Sequence, residues 1–318
     1  MFSLAIAAVA GLLGFGAVLT HVAARRISQQ YPPIGEFVDV GGVRLHLVDE
    51  AGPEGDDRPP LVVIHGASAN LREPMLAFAG HLRQRQRTLF IDRPGHGWSE
   101  RRGRADASPS AQAALIAAAL KAKGIERAVI LGISWGGALA AAFAVNHPQQ
   151  TAGLVFIGPA THPWPGGVDW HYGITVTPVL GTLFSHCLML PIAWNRVPRA
   201  VEGVFAPEAA PAGYSEAIGA RLLLRPAEFI ANGEDVHDLK ANVTALAPRY
   251  REIVAPTEIV TGDADAVVWP SIHSVGLERD IAGANVTWLP GAGHMPHHTR
   301  RADVLAAIER VYGRMGRG

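Results

Sequence analysis

The strongest constraint on this chain is a series of short apolar runs separated by stretches of helical composition. Leu61-Val62-Val63-Ile64 is an unbroken apolar tetrad. Such a run suits a parallel strand buried on both faces, where no side has to meet water. Thr88 to Ile91, Ala128 to Leu131, Leu154 to Ile157, Glu258 to Val260 and Val286 to Leu289 repeat the type. Ahead of them, Phe37 to Val40 and Val43 to Val48 flank Gly41-Gly42, a hairpin signal. Ser108-Pro109 opens a helix as an N-cap followed by Pro at the first helical position, and Gly124 closes it. Ala138 to Val145 and Val304 to Val311 supply further helices. Strands alternating with helices give an α/β fold, a mostly parallel sheet with helices on both faces.

The alternation stops between about Ala160 and Arg251, where Pro163, Pro165, Pro178, Pro191, Pro198, Pro207 and Pro211 imply short helices. Sheet-type strands resume near Thr257, so residues 160–251 read as an insertion into a core formed by 36–159 and 252–318. Residues 1–26 precede that core and 27–35, with Pro32 and Pro33, read as a linker. Residues 1–24 carry no charge, and 18 of them are hydrophobic. Phe2 to Ala24 is long enough to cross a bilayer, which needs about 20 apolar residues. No Lys or Arg precedes the run, which favours an uncleaved anchor over a signal peptide, while Ala8-Val9-Ala10 keeps a cleavage site open. Arg25 and Arg26 then place the large domain on the cytoplasmic side of a bacterial inner membrane, with a periplasmic or secreted domain as the alternative. The bacterial source is read from 28 basic residues of which only Lys121, Lys123 and Lys240 are lysine.

Equal numbers of basic and acidic residues, 28 each, leave no electrostatic case for a nucleic-acid partner. The single cysteine, Cys187, excludes an internal disulfide framework and a Cys-rich metal site, and reads as a small buried apolar residue.

Gly132-Ile133-Ser134-Trp135-Gly136 lies between a strand and an Ala-rich helix. That is the setting of a nucleophile elbow, in which a sharp turn lifts a serine hydroxyl above the sheet. A serine needs a base, and the base needs an orienting carboxylate. Asp263 and Asp265 follow one later strand, and His294, His297 and His298 follow the next. The chain order Ser, Asp, His suits this arrangement, with the groups on loops after strand ends.

Taken with His65-Gly66 and with Asp92-Arg93-Pro94-Gly95-His96-Gly97-Trp98-Ser99, these motifs resemble the α/β-hydrolase superfamily, specifically its cap-bearing members, over about residues 36–315. The resemblance implies that Asp265, three residues after Gly262, is the acid, and that Asp263 caps or braces its loop. It implies His294, in the Gly-His pattern, as the base, with His297 and His298 at the surface or lining a pocket and His96 structural. It further implies an oxyanion hole from the backbone N–H groups of Ala67 and Trp135. Haloalkane dehalogenases and epoxide hydrolases of this fold carry Asp where this chain has Ser134, so an acyl-enzyme on a carbonyl substrate is implied instead. No metal and no organic cofactor is required by that chemistry.

Trp170 to Asn195 is a second stretch without charge, interrupted by Pro178, Gly181, His186 and Pro191. It reads as part of an inserted helical cap that lines an apolar acyl pocket. The leading expectation is a membrane-held serine hydrolase that cleaves a carboxylic ester or related acyl bond of a small apolar substrate. Hydrolysis of a C–C bond in vinylogous diketones, lactone opening or acyl transfer, and a binding protein that keeps the fold, are the alternatives.

Overall fold

The computed structural model describes residues 2–315. Eight strands form one sheet: β1 (Glu36–Asp39), β2 (Arg44–Glu50), β3 (Leu61–Ile64), β4 (Thr88–Ile91), β5 (Ala128–Ile133), β6 (Thr151–Ile157), β7 (Thr257–Gly262) and β8 (Asn285–Leu289). Their spatial order is β1-β2-β4-β3-β5-β6-β7-β8. β1, β2 and β4 pair antiparallel, and every pair from β4 to β8 is parallel. Gly41 and Gly42 both have positive φ, at 65° and 81°, as a tight hairpin between right-twisted strands requires. The central strands β3 to β7 are fully buried, which explains the apolar residues at their centres.

The chain steps from β3 outward to β4, then returns past β3 to β5. Such a reversal of direction opens a crevice beyond the strand ends, where ligands bind in open α/β sheets. Helices α2 (Arg72–Leu82), α3 (Pro109–Ala122) and α4 (Trp135–Asn146) cover the sheet, joined by the C-terminal helix Arg301–Met315. The Ser108 hydroxyl accepts the Ala111 N–H at 3.1 Å, so α3 begins as its sequence predicts.

Helix α1 (Phe2–Gln30) runs farther than expected, through residues read from the sequence as linker. Ile27 and Tyr31 are buried, and the Tyr31 carbonyl accepts the Trp98 indole N–H at 3.0 Å, so the helix end is tied to the core. Between β6 and β7 lie the helices Trp170–Thr175, Leu180–Ala193, Val197–Phe205, Tyr214–Ala217 and Pro226–Leu246. The expectation of short helices throughout is corrected by the last, which has 21 residues. Its proline sits at the first turn, where a missing N–H costs nothing, and the breaking prolines lie upstream.

Leu180–Ala193 packs on α1. A Cβ on Gly16 would lie 2.2 Å from the Cys187 carbonyl oxygen, so the glycine permits this close approach. Toward the other end of α1, Leu4, Leu12, Phe15 and Val18 are 64–77% exposed.

The Pro226–Leu246 helix is clamped to the core through buried charges. Arg93 Nη1 donates to Asp235 Oδ2 at 2.6 Å, and Arg101 Nη1 donates to Asp235 Oδ1 at 2.8 Å. The side chains of Arg93 and Asp235 are fully buried. Replacing Asp235 by Ala leaves the Arg93 guanidinium buried without its partner, which typically costs about 3–5 kcal/mol. Denaturant melts should show that loss, whereas Glu252→Gln, which removes the exposed Arg249–Glu252 pair, should leave the midpoint unchanged.

Burial depresses His65 and His273 to about 4, and lowers His96, His162 and His297 as well. The unfolded chain takes up these protons near 6.5, the folded chain only at lower pH. Between pH 6.5 and 5 the unfolded state therefore binds more protons, and stability falls as pH falls. Burial raises Glu228, Glu234 and Asp235, which acts in the opposite sense, but His147 and His171 are lowered too, so three carboxyls stand against seven imidazoles. Thermal midpoints measured across this window should drop steadily.

Candidate active site

β5 passes into α4 with no intervening loop, and Ser134 occupies the junction. It adopts φ 52° and ψ −118°, a conformation that costs a non-glycine residue about 1–3 kcal/mol. The surroundings enforce it. Ser134 N–H donates to Ile157 O at 2.9 Å, and Ser134 O accepts the Gly137 and Ala160 N–H groups at 2.8 and 3.0 Å. The flanking glycines are steric requirements: a Cβ on Gly132 would lie 2.3 Å from Gly136 O, and one on Gly136 would lie 2.6 Å from Ile64 O.

Asp265 stands on the turn after β7 and His294 on the loop after β8. Asp265 Oδ2 lies 2.7 Å from His294 Nδ1. The other carboxylate oxygen accepts the N–H groups of Val267 and Val268 at 2.8 and 2.9 Å. Both residues are buried, so the pair is fixed in place and His294 Nε2 is the ring nitrogen free of that bond. Asp263 stays outside this group and accepts the Gly291 N–H at 2.7 Å, which ties the loop after β7 to the loop after β8.

Ser134 and His294 line one cavity of about 260 Å³, and Ala67 lies on its wall. A second cavity of about 460 Å³ meets Ser134 from the other side, lined by Trp135, Trp164, Asp169, Trp269 and His273 among others. Tyr172 borders both. Among the described residues, the backbone N–H groups of Ala67 and Trp135 donate to no protein acceptor. They remain available to a charge that develops beside Ser134.

The cavity walls correct one expectation. Val197, Ala200, Val201 and Val204 form the apolar side of the smaller cavity, with Ile218 and Leu223. From the uncharged stretch 170–195 only Tyr172 reaches it. The apolar side chains of Leu180–Ala193 are committed instead to packing, with Met189 and Leu190 buried against Ile27 and Phe229, or are exposed, as Leu180 and Ile192 are.

His297 and His298 also differ from their sequence reading. His297 is fully buried and His298 has a buried ring, and both Nε2 atoms bond Glu73 Oε1, at 2.7 and 2.6 Å. Tyr214 OH donates to the same oxygen at 3.4 Å. Glu73 in turn lines the smaller cavity. The three side chains bring metal-ligand atoms within 4.8 Å of one another. Their hydrogen-bonded arrangement fits without a metal ion, because His297 Nδ1 is buried with no partner. Ligation through Nε2 would force a proton onto that nitrogen and bury an unpaired donor.

Sequence reasoning missed Glu73, Tyr172 and His273. Asn70-Leu71-Arg72-Glu73 has the form of a capping box, which disguises Glu73 as an ordinary first-turn residue. His273 has a helical context only, yet its Nδ1 accepts the Thr161 and His162 N–H groups at 3.1 and 3.0 Å. Burial keeps its ring neutral, with the proton on Nε2.

Comparison with known proteins agrees with this architecture. Residues 59–182 match the family model for the alpha/beta hydrolase fold. A 2-hydroxymuconate semialdehyde hydrolase of Pseudomonas putida is 34% identical over 151 residues, 46% of this chain and 52% of the relative. The chain thus matches only about half the length of that relative. A pimeloyl-[acyl-carrier protein] methyl ester esterase of Aromatoleum aromaticum is 28% identical over 265 residues, covering 80% of this chain and 98% of the relative. Among solved structures, a bacterial membrane phospholipase A superposes with a TM-score of 0.70 at 23% identity, covering 100% of this chain and 98% of the other. With its sheet order, its strained serine at the β5–α4 junction and the match of residues 59–182 to that family model, the chain has the alpha/beta hydrolase fold.

Proposed function

We propose that the chain is a serine hydrolase that cleaves a carboxylic ester or related acyl bond of an apolar substrate through an acyl-enzyme. The observation that carries this reading is the strained Ser134 on the wall of a cavity that it shares with His294, itself paired to Asp265. Ser134 Oγ attacks the substrate carbonyl as His294 Nε2 takes its proton, and Asp265 holds the imidazole in the tautomer that can accept it. The N–H groups of Ala67 and Trp135 stabilise the oxyanion, each worth about 2.7–4 kcal/mol in comparable sites. Collapse of the tetrahedral species passes the proton from His294 to the departing oxygen. A water, deprotonated by the same imidazole, then releases the acid.

The two cavities divide the substrate. The one walled by Val197, Val201 and Val204 suits the acyl chain, which gains about 0.8 kcal/mol per buried methylene. The other, with Asp169, His273 and its tryptophans, suits a more polar leaving group. The similarity to 2-hydroxymuconate semialdehyde hydrolase favours a second reading, hydrolysis of a C–C bond in a vinylogous diketone by the same residues. A panel of nitrophenyl esters, lactones and dienoate diketones separates the two. Ester turnover is expected to dominate, and diketone turnover without ester turnover reverses the order. Ser134→Ala should lower turnover by several orders of magnitude and abolish fluorophosphonate labelling. Retained activity would place the chemistry elsewhere.

The same reading holds the enzyme at a membrane by α1. An 18-residue stretch of the helix from Ser3 to Gln30 has a mean hydropathy of 2.1, and only 11% of it is buried within the protein. Trp170, Val179 and Leu180 of the cap are exposed apolar residues, 60–71% accessible. Arg25 and Arg26, both exposed, stand where cationic heads reach the lipid interface. Full-length protein is expected in the membrane pellet after alkaline carbonate washing, and protein with residues 2–15 removed in the supernatant. Protease treatment of spheroplasts tests the cytoplasmic placement, and digestion of the domain from outside reverses it.

A further inference from the structure

The acyl cavity is apolar on its cap side, yet one wall is a carboxylate. Glu73 lines it, is 2% exposed overall, and comes from the first turn of α2. All its hydrogen bonds within the described residues converge on one oxygen, Oε1, which receives His297, His298 and Tyr214. Oε2 receives none. No Arg or Lys among the described residues pairs with Glu73. Burial disfavours its charge, but the two imidazoles outweigh burial and hold the carboxyl well below its ordinary range.

An ionised carboxylate with an unused acceptor oxygen, on a residue that lines the cavity, sets a condition on what enters. A plain alkyl chain pressed against Oε2 would strip its water and return nothing, leaving a buried acceptor unpaired. A carboxylate on the chain would meet a like charge. A hydroxyl or ammonium group would replace the lost water with a charge-assisted hydrogen bond. We propose that Glu73 is a specificity-determining residue, and that the enzyme selects acyl chains carrying a hydrogen-bond donor, foremost a hydroxyl, beyond the scissile carbonyl. This inference rests on the acyl-enzyme reading and adds the class of acyl group to it. Glu73 is separate from the groups that move protons: it touches neither Ser134 nor His294 through a hydrogen bond among the described residues.

The test compares nitrophenyl esters of butanoyl to decanoyl chains with their terminal-hydroxyl and terminal-carboxylate counterparts on the full-length protein. A fluorophosphonate probe reports on Ser134 in parallel. A hydrogen bond to a buried charge corresponds to a preference of about tenfold or more in kcat/KM. The hydroxylated ester of best-fitting length is therefore expected to exceed its alkyl counterpart by that factor, with the carboxylate slowest. In Glu73→Leu the preference should vanish and alkyl turnover should rise, and in Glu73→Gln it should shrink. The wild-type comparison stands alone if the Leu variant fails to fold. Labelled enzyme that turns over alkyl esters as well as hydroxylated ones overturns the role of Glu73 and leaves Ser134 in place. A preference that persists in Glu73→Leu likewise overturns it. Absence of both labelling and ester turnover instead overturns the acyl-enzyme reading.

Discussion

The buried guanidinium of Arg93 is the contact on which the site's geometry depends. It donates to Asp235 of the Pro226–Leu246 helix, to Gln112 of α3 at 3.0 Å and to the Gly66 carbonyl at 3.2 Å. Its Cζ lies 4.0 Å from the centroid of the Trp135 ring, whose indole N–H donates to the Asp235 carbonyl at 3.0 Å. The Arg93 backbone N–H donates to His65 Nε2 at 3.0 Å. One side chain thus joins the loop carrying Ala67, the residue after the serine, and the helix that holds the cap down. A cation so deeply buried is tolerable because both terminal nitrogens find acceptors and a π face lies beside it, although Nε is buried without a partner among the described residues. It is also rigid for that reason, and a site that must hold two N–H donors steady gains from such a frame.

The two uncharged stretches, at the N-terminus and at 170–195, meet in space. Gly16 of α1 touches the Cys187 carbonyl, and Ile27 and Tyr31 pack with Met189, Leu190 and Leu222. The apolar composition of Leu180–Ala193 is thus accounted for by a neighbouring helix and by exposed surface, while the next helix, Val197–Phe205, faces the cavity. A helix that enters the bilayer in the proposed reading is continuous with one that supports the cap.

Much of the sheet was legible because its residues report their own environment. Leu61–Ile64 and Thr88–Ile91 are strands with the boundaries that their apolar runs predict. Ser134 was legible as a candidate from the strand–turn–helix setting of its motif, while Asp265 and His294 were picked out among Asp263, His297 and His298 only by the family resemblance. The cap was not. Its prolines mark breaks but do not say which apolar face meets which neighbour, and α1, far away in sequence, decided that. His297 and His298 read as surface or pocket-lining residues because Glu73, more than 200 positions earlier, is invisible in their local pattern.

The sequence by itself determined the alternation of strands and helices that makes a mostly parallel sheet, the elbow and the candidates for acid and base. Each depends on contacts within a few residues, or on a turn whose φ only a flanking glycine permits. Only the tertiary structure decided which helix walls the cavity, that Asp235 clamps the cap, and that Glu73 lines the cavity with all its hydrogen bonds on one oxygen. Those outcomes depend on burial and pairing between segments far apart in the chain, and no local periodicity records which distant group a buried charge will find.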